Sequence, residues 1–250
     1  MLELENVSAV RGDRTIWEEG TFHVPSGSIV AVIGPNGSGK TTLLTMILGL
    51  LKPGSGTLRV LGEEPRRGNS RIGYVPQNYA AIAGDSIRAC DMVLLGLTGT
   101  RYGLKRTTAS EHARVQEALA EVGATHFADR RMSQLSGGQQ QRVAIAQALV
   151  SKPEMLLLDE PLANLDVRNQ QDIVSLLKRI NAESGIGILV VAHDLNPLLS
   201  ALDGAIYLLD GHPHYAGVDD VVSEELLTHL YGTAIKVVRT AQGDLFTRSA

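Results

Sequence analysis

The chain of 250 residues has a single cysteine, Cys90, so it cannot close an intrachain disulfide, which suits a reducing compartment. It has no excess of positive charge. Its 23 Lys and Arg face 27 Asp and Glu, a formal net charge of −4 that gives no general attraction to nucleic acid or an anionic membrane. No apolar run is long enough to span a bilayer. Met1-Leu2-Glu3 is not the basic-then-apolar start of a signal peptide. These absences predict a soluble polypeptide that works at a membrane only by docking onto an embedded partner. Internal repeats, low-complexity tracts and coiled-coil heptads are also missing. What remains, 44% hydrophobic and 20% charged, is ordinary globular composition able to bury a sizeable core.

What is present is organised around Gly34-Pro35-Asn36-Gly37-Ser38-Gly39-Lys40-Thr41. An apolar run, Ile29 to Ile33, precedes it and a predicted helix, Thr42 to Leu50, follows. Strand, glycine-rich turn and helix N-terminus together form a phosphate-binding loop. Glycines bring backbone N–H groups against phosphate oxygens, and the helix start adds free donors and a positive dipole end. Lys40 reaches the outer phosphates as a point charge, and Thr41 offers a hydroxyl to Mg²⁺.

Met155 to Leu158 is a second apolar run, ending in Asp159 and Glu160. In phosphate-loop enzymes an aspartate at such a strand end holds magnesium. The next side chain points elsewhere, so Glu160 is free to address the attacking water. Leu135-Ser136-Gly137-Gly138-Gln139 opens another helix, with capping-box spacing between Ser136 and Gln139 and two glycines that expose backbone as a second anion site. From spacing alone the first reading is a well-capped helix; as an anion site it would need a second chain, since one nucleotide does not need two such helices from the same face. His193 follows the apolar strand Ile188 to Ala192, and Gln77 follows Val75-Pro76. Alone, such a histidine is more often structural, and Gln77 by itself carries little.

The remaining pattern predicts an α/β fold with an inserted helical part. Leu2 to Val10 reads as an edge strand, Thr15 to Val24 as its hairpin partner, and Thr57 to Leu61 and Ile72 to Pro76 as strands. Mostly helices follow to about Gln134, interrupted by a loop over Leu97 to Thr108, with a capping box at Thr108 and Glu111. Helices over Gly137 to Ser151 and Arg168 to Glu183 flank the Met155 strand. Strands over Gly187 to Ala192 and Ala205 to Leu209, a helix over Ser223 to Tyr231 and a hairpin over Ala234 to Thr247 complete the chain. His212-Pro213-His214 reads as part of a solvated turn after Asp210-Gly211 rather than as a metal site.

In this order, these residues resemble the nucleotide-binding subunit of an ATP-binding cassette (ABC) transporter over nearly the whole chain. The phosphate loop is similar to its Walker A motif, Gln77 to the Q-loop, Leu135 to Gln139 to the signature motif LSGGQ, and Met155 to Glu160 to Walker B with the catalytic glutamate. Ala163-Asn164-Leu165-Asp166 resembles the D-loop and His193 the switch histidine. The resemblance implies one ABC ATPase domain over 1–250: a phosphate-loop NTPase core with an antiparallel β subdomain (1–77 and 152–250) and a helical subdomain, about 78–151, that includes the signature.

It further implies a homodimer that sandwiches ATP and Mg²⁺ head to tail. Gly34, Pro35, Asn36, Gly37, Ser38, Gly39, Lys40, Thr41 and Thr42 of one copy would hold the nucleotide, with Ser136, Gly137, Gly138, Gln139 and Asp166 reaching it from the other. Thr41, Gln77 and Asp159 would hold Mg²⁺. Glu160 would activate water, with Gln77, His193 and Lys40 assisting. A groove near Tyr79 to Leu97 would receive a coupling helix of a membrane permease, placing the chain peripherally on the cytoplasmic face of the membrane, in a system with an extracytoplasmic solute-binding protein and no nucleic acid. Two positions depart from the family. Arg11-Gly12 stands where an aromatic usually stacks on adenine, so Arg11 through its guanidinium plane, Trp17 or another group would substitute. Ala163-Asn164 replaces the commoner Ser-Ala.

Asp91 to Leu97 with Arg101-Tyr102-Gly103, His193 to Pro197 and Leu230-Tyr231-Gly232 resemble importers of metal ions. Zinc or manganese is the expected cargo. An iron or metal-chelate importer, or a soluble cofactor-assembly ATPase, are the competing expectations, and a non-catalytic nucleotide-binding module is disfavoured by intact Lys40, Asp159, Glu160 and His193.

Overall fold

The computed structural model describes residues 1–77, 79, 86–99, 106–239 and 245–249, without the side chains of 239, 245, 248 and 249. Strand β1 (Leu2–Arg11) turns at Gly12-Asp13 into β2 (Arg14–Val24). β3 (Ile29–Ile33), buried along its whole length, runs into the phosphate loop and α1 (Lys40–Ile47). β4 (Ser55–Val60) returns to the first hairpin, and β5 (Ile72–Val75) enters the main sheet.

Among the described residues, α2 (Ala89–Thr98), α3 (Ala109–Glu121) and α4 (Gly137–Leu149) follow. The Thr108–Glu111 capping box is formed, each side chain accepting the other residue's backbone N–H, and the last turn of α3 gives way at Gly123, in left-handed conformation. The chain then alternates: β6 (Met155–Asp159), α5 (Val167–Ser184), β7 (Gly187–Val191), β8 (Gly204–Leu209) and β9 (His212–Gly217). Short α6 (Val218–Val221), α7 (Glu224–Tyr231) and the hairpin of β10 (Ile235–Arg239) with β11 (Leu245–Ser249) end it. Residues 80–85 of the expected coupling groove and 100–105 of the Leu97–Thr108 loop lie outside the described residues.

The main sheet has the order β5-β6-β7-β3-β8-β9, parallel except for β9. Covered on both faces, the inner strands β3 and β7 are buried along their whole length and β6 up to Leu158, and alternate residues serve opposite cores. Leu156, Leu158, Ile188 and Val190 face the core built with the helices α2 to α5 and α7. Met155, Leu157, Leu189 and Val191 face the core in which α1 meets the small sheet through Leu43, Ile47, Leu2 and Leu4.

Two sequence expectations fail. β1 is not an edge strand: the small antiparallel sheet has the order β2-β1-β4, so β1 is central. Its second partner lies far along the chain, and nothing local announces it. The imperfect alternation has a local cause, a register irregularity between Leu4 and Val7 where Asn6 takes φ 52°. His212-Pro213-His214 is not turn but the start of β9. Asp210-Gly211 alone makes the turn, and Pro213, lacking an N–H, is tolerated because β9 is the sheet's edge.

Candidate active site

β3 delivers the phosphate loop to one edge of the main sheet. Gly39, the residue before α1, has φ 101°, and a Cβ there would lie 2.6 Å from Ile16 Cγ2 and 2.7 Å from Trp17 Cδ1. Only glycine fits. Trp17 therefore packs beneath the loop, 1% exposed, and does not serve as the base-stacking substitute that the sequence left open. Arg11 is exposed and lines the cleft beside Asn36, Lys40, Thr41, Glu160 and His193, an opening of about 270 Å³.

Lys40 is 8% exposed, and its Nζ donates to the carbonyls of Gly34 (2.7 Å) and Pro35 (3.0 Å). Burial lowers its pKa, and the charges of Glu160 and Asp159 act against that. Ser38 Oγ is buried in the loop without a hydrogen-bond partner, an orphaned donor where a phosphate oxygen would satisfy it. Thr42 is buried under the cleft floor, its carbonyl accepting from Thr45 Oγ1.

Strand order assembles the rest. β5, β6 and β7 are parallel neighbours, so the residues just past their C-terminal ends meet at the edge where ligands of open α/β sheets bind. Gln77 follows β5, Glu160 follows β6 and His193 follows β7. Glu160 Oε2 accepts from Gln77 Nε2 at 2.6 Å, and Glu160 Oε1 lies 2.8 Å from His193 Nε2. Glu160 has φ 50°, a left-handed turn that takes its carboxylate off the strand line while the backbone N–H still bonds Val191 O. Asp159, the last strand residue, has its pKa raised by burial and then by the Glu160 charge, with Lys40 and His193 acting in the opposite sense.

Ser136 caps α4 in a capping box with Gln139 (Gln139 N to Ser136 Oγ 3.4 Å, Ser136 N to Gln139 Oε1 3.0 Å). Ser136 and Gly137 are exposed and lie outside the cleft of their own chain. Asp166 caps α5: its carboxylate accepts from Asn169 N and Nδ2, both at 2.8 Å, which holds its pKa below the usual range. Asn169, which the sequence reading passed over, also ties α5 to Gly138, since a Cβ on Gly138 would lie 2.5 Å from Asn169 Oδ1. Its only sequence signal was its place three residues after Asp166. Tyr231, noted in the sequence as kinship alone, donates its hydroxyl to His193 O at 3.1 Å.

The family model described as "ABC transporter" matches residues 18–163. The chain is 38% identical to the zinc transport system ATP-binding protein TroB of Treponema pallidum (strain Nichols), over 94% of this chain and 88% of that one. It is 35% identical to the manganese transport system ATP-binding protein MntB of Bacillus subtilis (strain 168), over 92% of each. Among solved structures it resembles a chain of an ABC transporter in an inward-facing conformation (TM-score 0.85, 26% identity, covering 100% of this chain and 96% of that one). It also resembles an ATP-binding cassette in a dimeric post-hydrolysis state bound to ADP and Pi (TM-score 0.72, 31% identity, 87% and 99%).

Proposed function

The chain belongs to the ABC transporter family, and on that premise we propose that it is the ATP-hydrolysing subunit of an importer of zinc or manganese, working at the cytoplasmic face of the membrane with a separate permease and an extracytoplasmic solute-binding protein. The observation that carries the catalytic reading is the Glu160 carboxylate, held from both sides by Gln77 and His193 at the mouth of the phosphate-loop cleft. Glu160 accepts a proton from water as the water attacks the terminal phosphorus, and ADP leaves with phosphate as the other product. Lys40 and the loop N–H groups offset charge on the phosphates. His193, bonded to Glu160, keeps that carboxylate oriented.

Mg²⁺ fits the donor set. The Thr41 hydroxyl, Asp159 carboxylate and Gln77 amide oxygen are hard oxygen ligands, and the mutual repulsion of Asp159 and Glu160 is what a divalent cation relieves. Bound there, the ion supplies neutralisation of phosphate charge.

A second copy supports completion of the site. Ser136, Gly137 and Asp166 are exposed, and Val167 beside Asp166 is an apolar side chain left 70% exposed. Head-to-tail pairing would carry Ser136 to Gln139 of one copy onto the nucleotide of the other. Among the described residues no helix is long and apolar enough to cross a membrane; on this reading the import path belongs to the permease. The cargo reading rests on the two relatives' names. Co-expression with the permease and the solute-binding protein, followed by uptake of labelled zinc and manganese into vesicles loaded with ATP, tests it. Uptake of neither ion, with ATP turnover intact, would reject the cargo and leave the motor.

A further inference from the structure

The loop that carries His193 is held at both ends by the C-terminal segment. At its start, Tyr231 Oη donates to His193 O at 3.1 Å. Three residues on, Asn196 Nδ2 donates to Thr247 O (3.0 Å), while Asn196 Oδ1 accepts from Thr247 N (2.7 Å) and Thr247 Oγ1 (3.0 Å). Between these anchors, Asp194 Oδ1 accepts from Asn196 N at 2.9 Å. Both anchors belong to elements tied to the core. α7 buries Leu227 and Leu230 in the core, is capped by Ser223, and ends on Gly232 in left-handed conformation (φ 66°), which fixes where Tyr231 stands. Burial and the Asp194 charge push the Tyr231 phenol up to about 12, so it remains a proton donor throughout the neutral range. β10 is tied to α7 through Glu224 Oε1, which accepts from Val237 N, and Thr228 Oγ1, which accepts from Ile235 N.

We propose that Tyr231 and Thr247 are positioning residues for hydrolysis: together they fix the His193–Pro197 loop, and thereby the imidazole that is bonded to Glu160. His193 is 53% exposed at its side chain, so its ring has little packing of its own to hold it. Backbone placement must do so, and the C-terminal segment supplies it. The consequence is that an element remote in sequence from every nucleotide motif controls the turnover rate without touching the nucleotide.

The inference rests on the hydrolytic role proposed for Glu160 and His193. Its test compares wild type, Tyr231→Phe and Thr247→Val in ATP turnover, each variant removing one hydroxyl and little else. The expected result for Tyr231→Phe is a fall in kcat of about two- to tenfold, the range for one lost hydrogen bond, with KM for ATP within about twofold. Thr247→Val is expected to lower kcat in the same sense by less, because two Asn196 bonds survive. In imidazole NMR spectra, the His193 ring resonances should shift in both variants while those of the other six histidines hold still. Unchanged kcat in both variants, or a lower kcat with unmoved His193 resonances, overturns the inference while leaving the motor reading in place. A wild-type chain that turns over no ATP overturns both.

Discussion

Asn169 Oδ1 occupies the space that a Cβ on Gly138 would need, 2.5 Å away, while Asn169 Nδ2 and N hold the Asp166 carboxylate. The start of α4 and the start of α5 are thus fitted to one another through a single carboxamide. Gly138→Ala should displace Asn169, loosen the Asp166 cap and cost about 1–3 kcal/mol, the usual penalty for overpacking. Thermal unfolding should show it, and adding Asn169→Ala should recover part of the loss because the clash goes. Full additivity of the two changes would mean that the contact is not the cause.

Glu160→Gln keeps shape and hydrogen-bonding capacity but cannot take a proton. Phosphate release should fall by about 100-fold or more, with nucleotide affinity retained. Gel filtration at saturating ATP and Mg²⁺ should show a dimer, since binding persists while the reaction that reopens the pair is blocked. A variant that stays monomeric under those conditions would contradict the shared site.

Asp159 is a charge held against its preference. Its folded pKa lies above the ordinary value, through burial first and Glu160 second, so the folded state binds the proton more tightly than the unfolded chain. That destabilises the folded protein at pH above the raised pKa and does nothing below the ordinary Asp value. Asp159→Asn should therefore raise Tm near neutral pH in the absence of nucleotide and metal. The gain should shrink to nothing as pH falls through the usual carboxylate range, and turnover should be lost throughout. Equal Tm gains at low and neutral pH would rule out charge as the source.

Neither Thr108 nor Glu111 of the α3 cap lines the cleft. Thr108→Ala should cost about 0.5–2 kcal/mol, with Tm lower by about 2–4 °C per kcal/mol for a domain of this size. Turnover at 25 °C should be unaltered, which separates helix stability from the chemistry.

Trp17 shows where linear reading reached its limit. Its position near Arg11 made it a candidate to stack on adenine, yet it lies under Gly39, because the β1–β2 hairpin folds back over α1 to close a core. The edge assignment of β1 failed for the same reason: pairing with β4 is non-local. Contiguous motifs were legible because their chemistry is built from neighbours in the chain. A strand, a turn and a helix start make a phosphate loop wherever they occur together, and Ser136 or Thr108 caps its own helix through residues three positions on.

The sequence by itself therefore determined the α/β alternation, the phosphate loop, the helix caps and the candidate groups for the site, all of which depend on period and short spacing. Only tertiary structure decided which of those groups meet. Gln77, Glu160 and His193 converge because β5, β6 and β7 lie side by side, and Tyr231 and Thr247 reach the His193 loop because the C-terminal segment folds back on it. Strand order and chain reversal arise from burying apolar faces against distant partners, and such a contact leaves no periodic trace in either stretch that makes it.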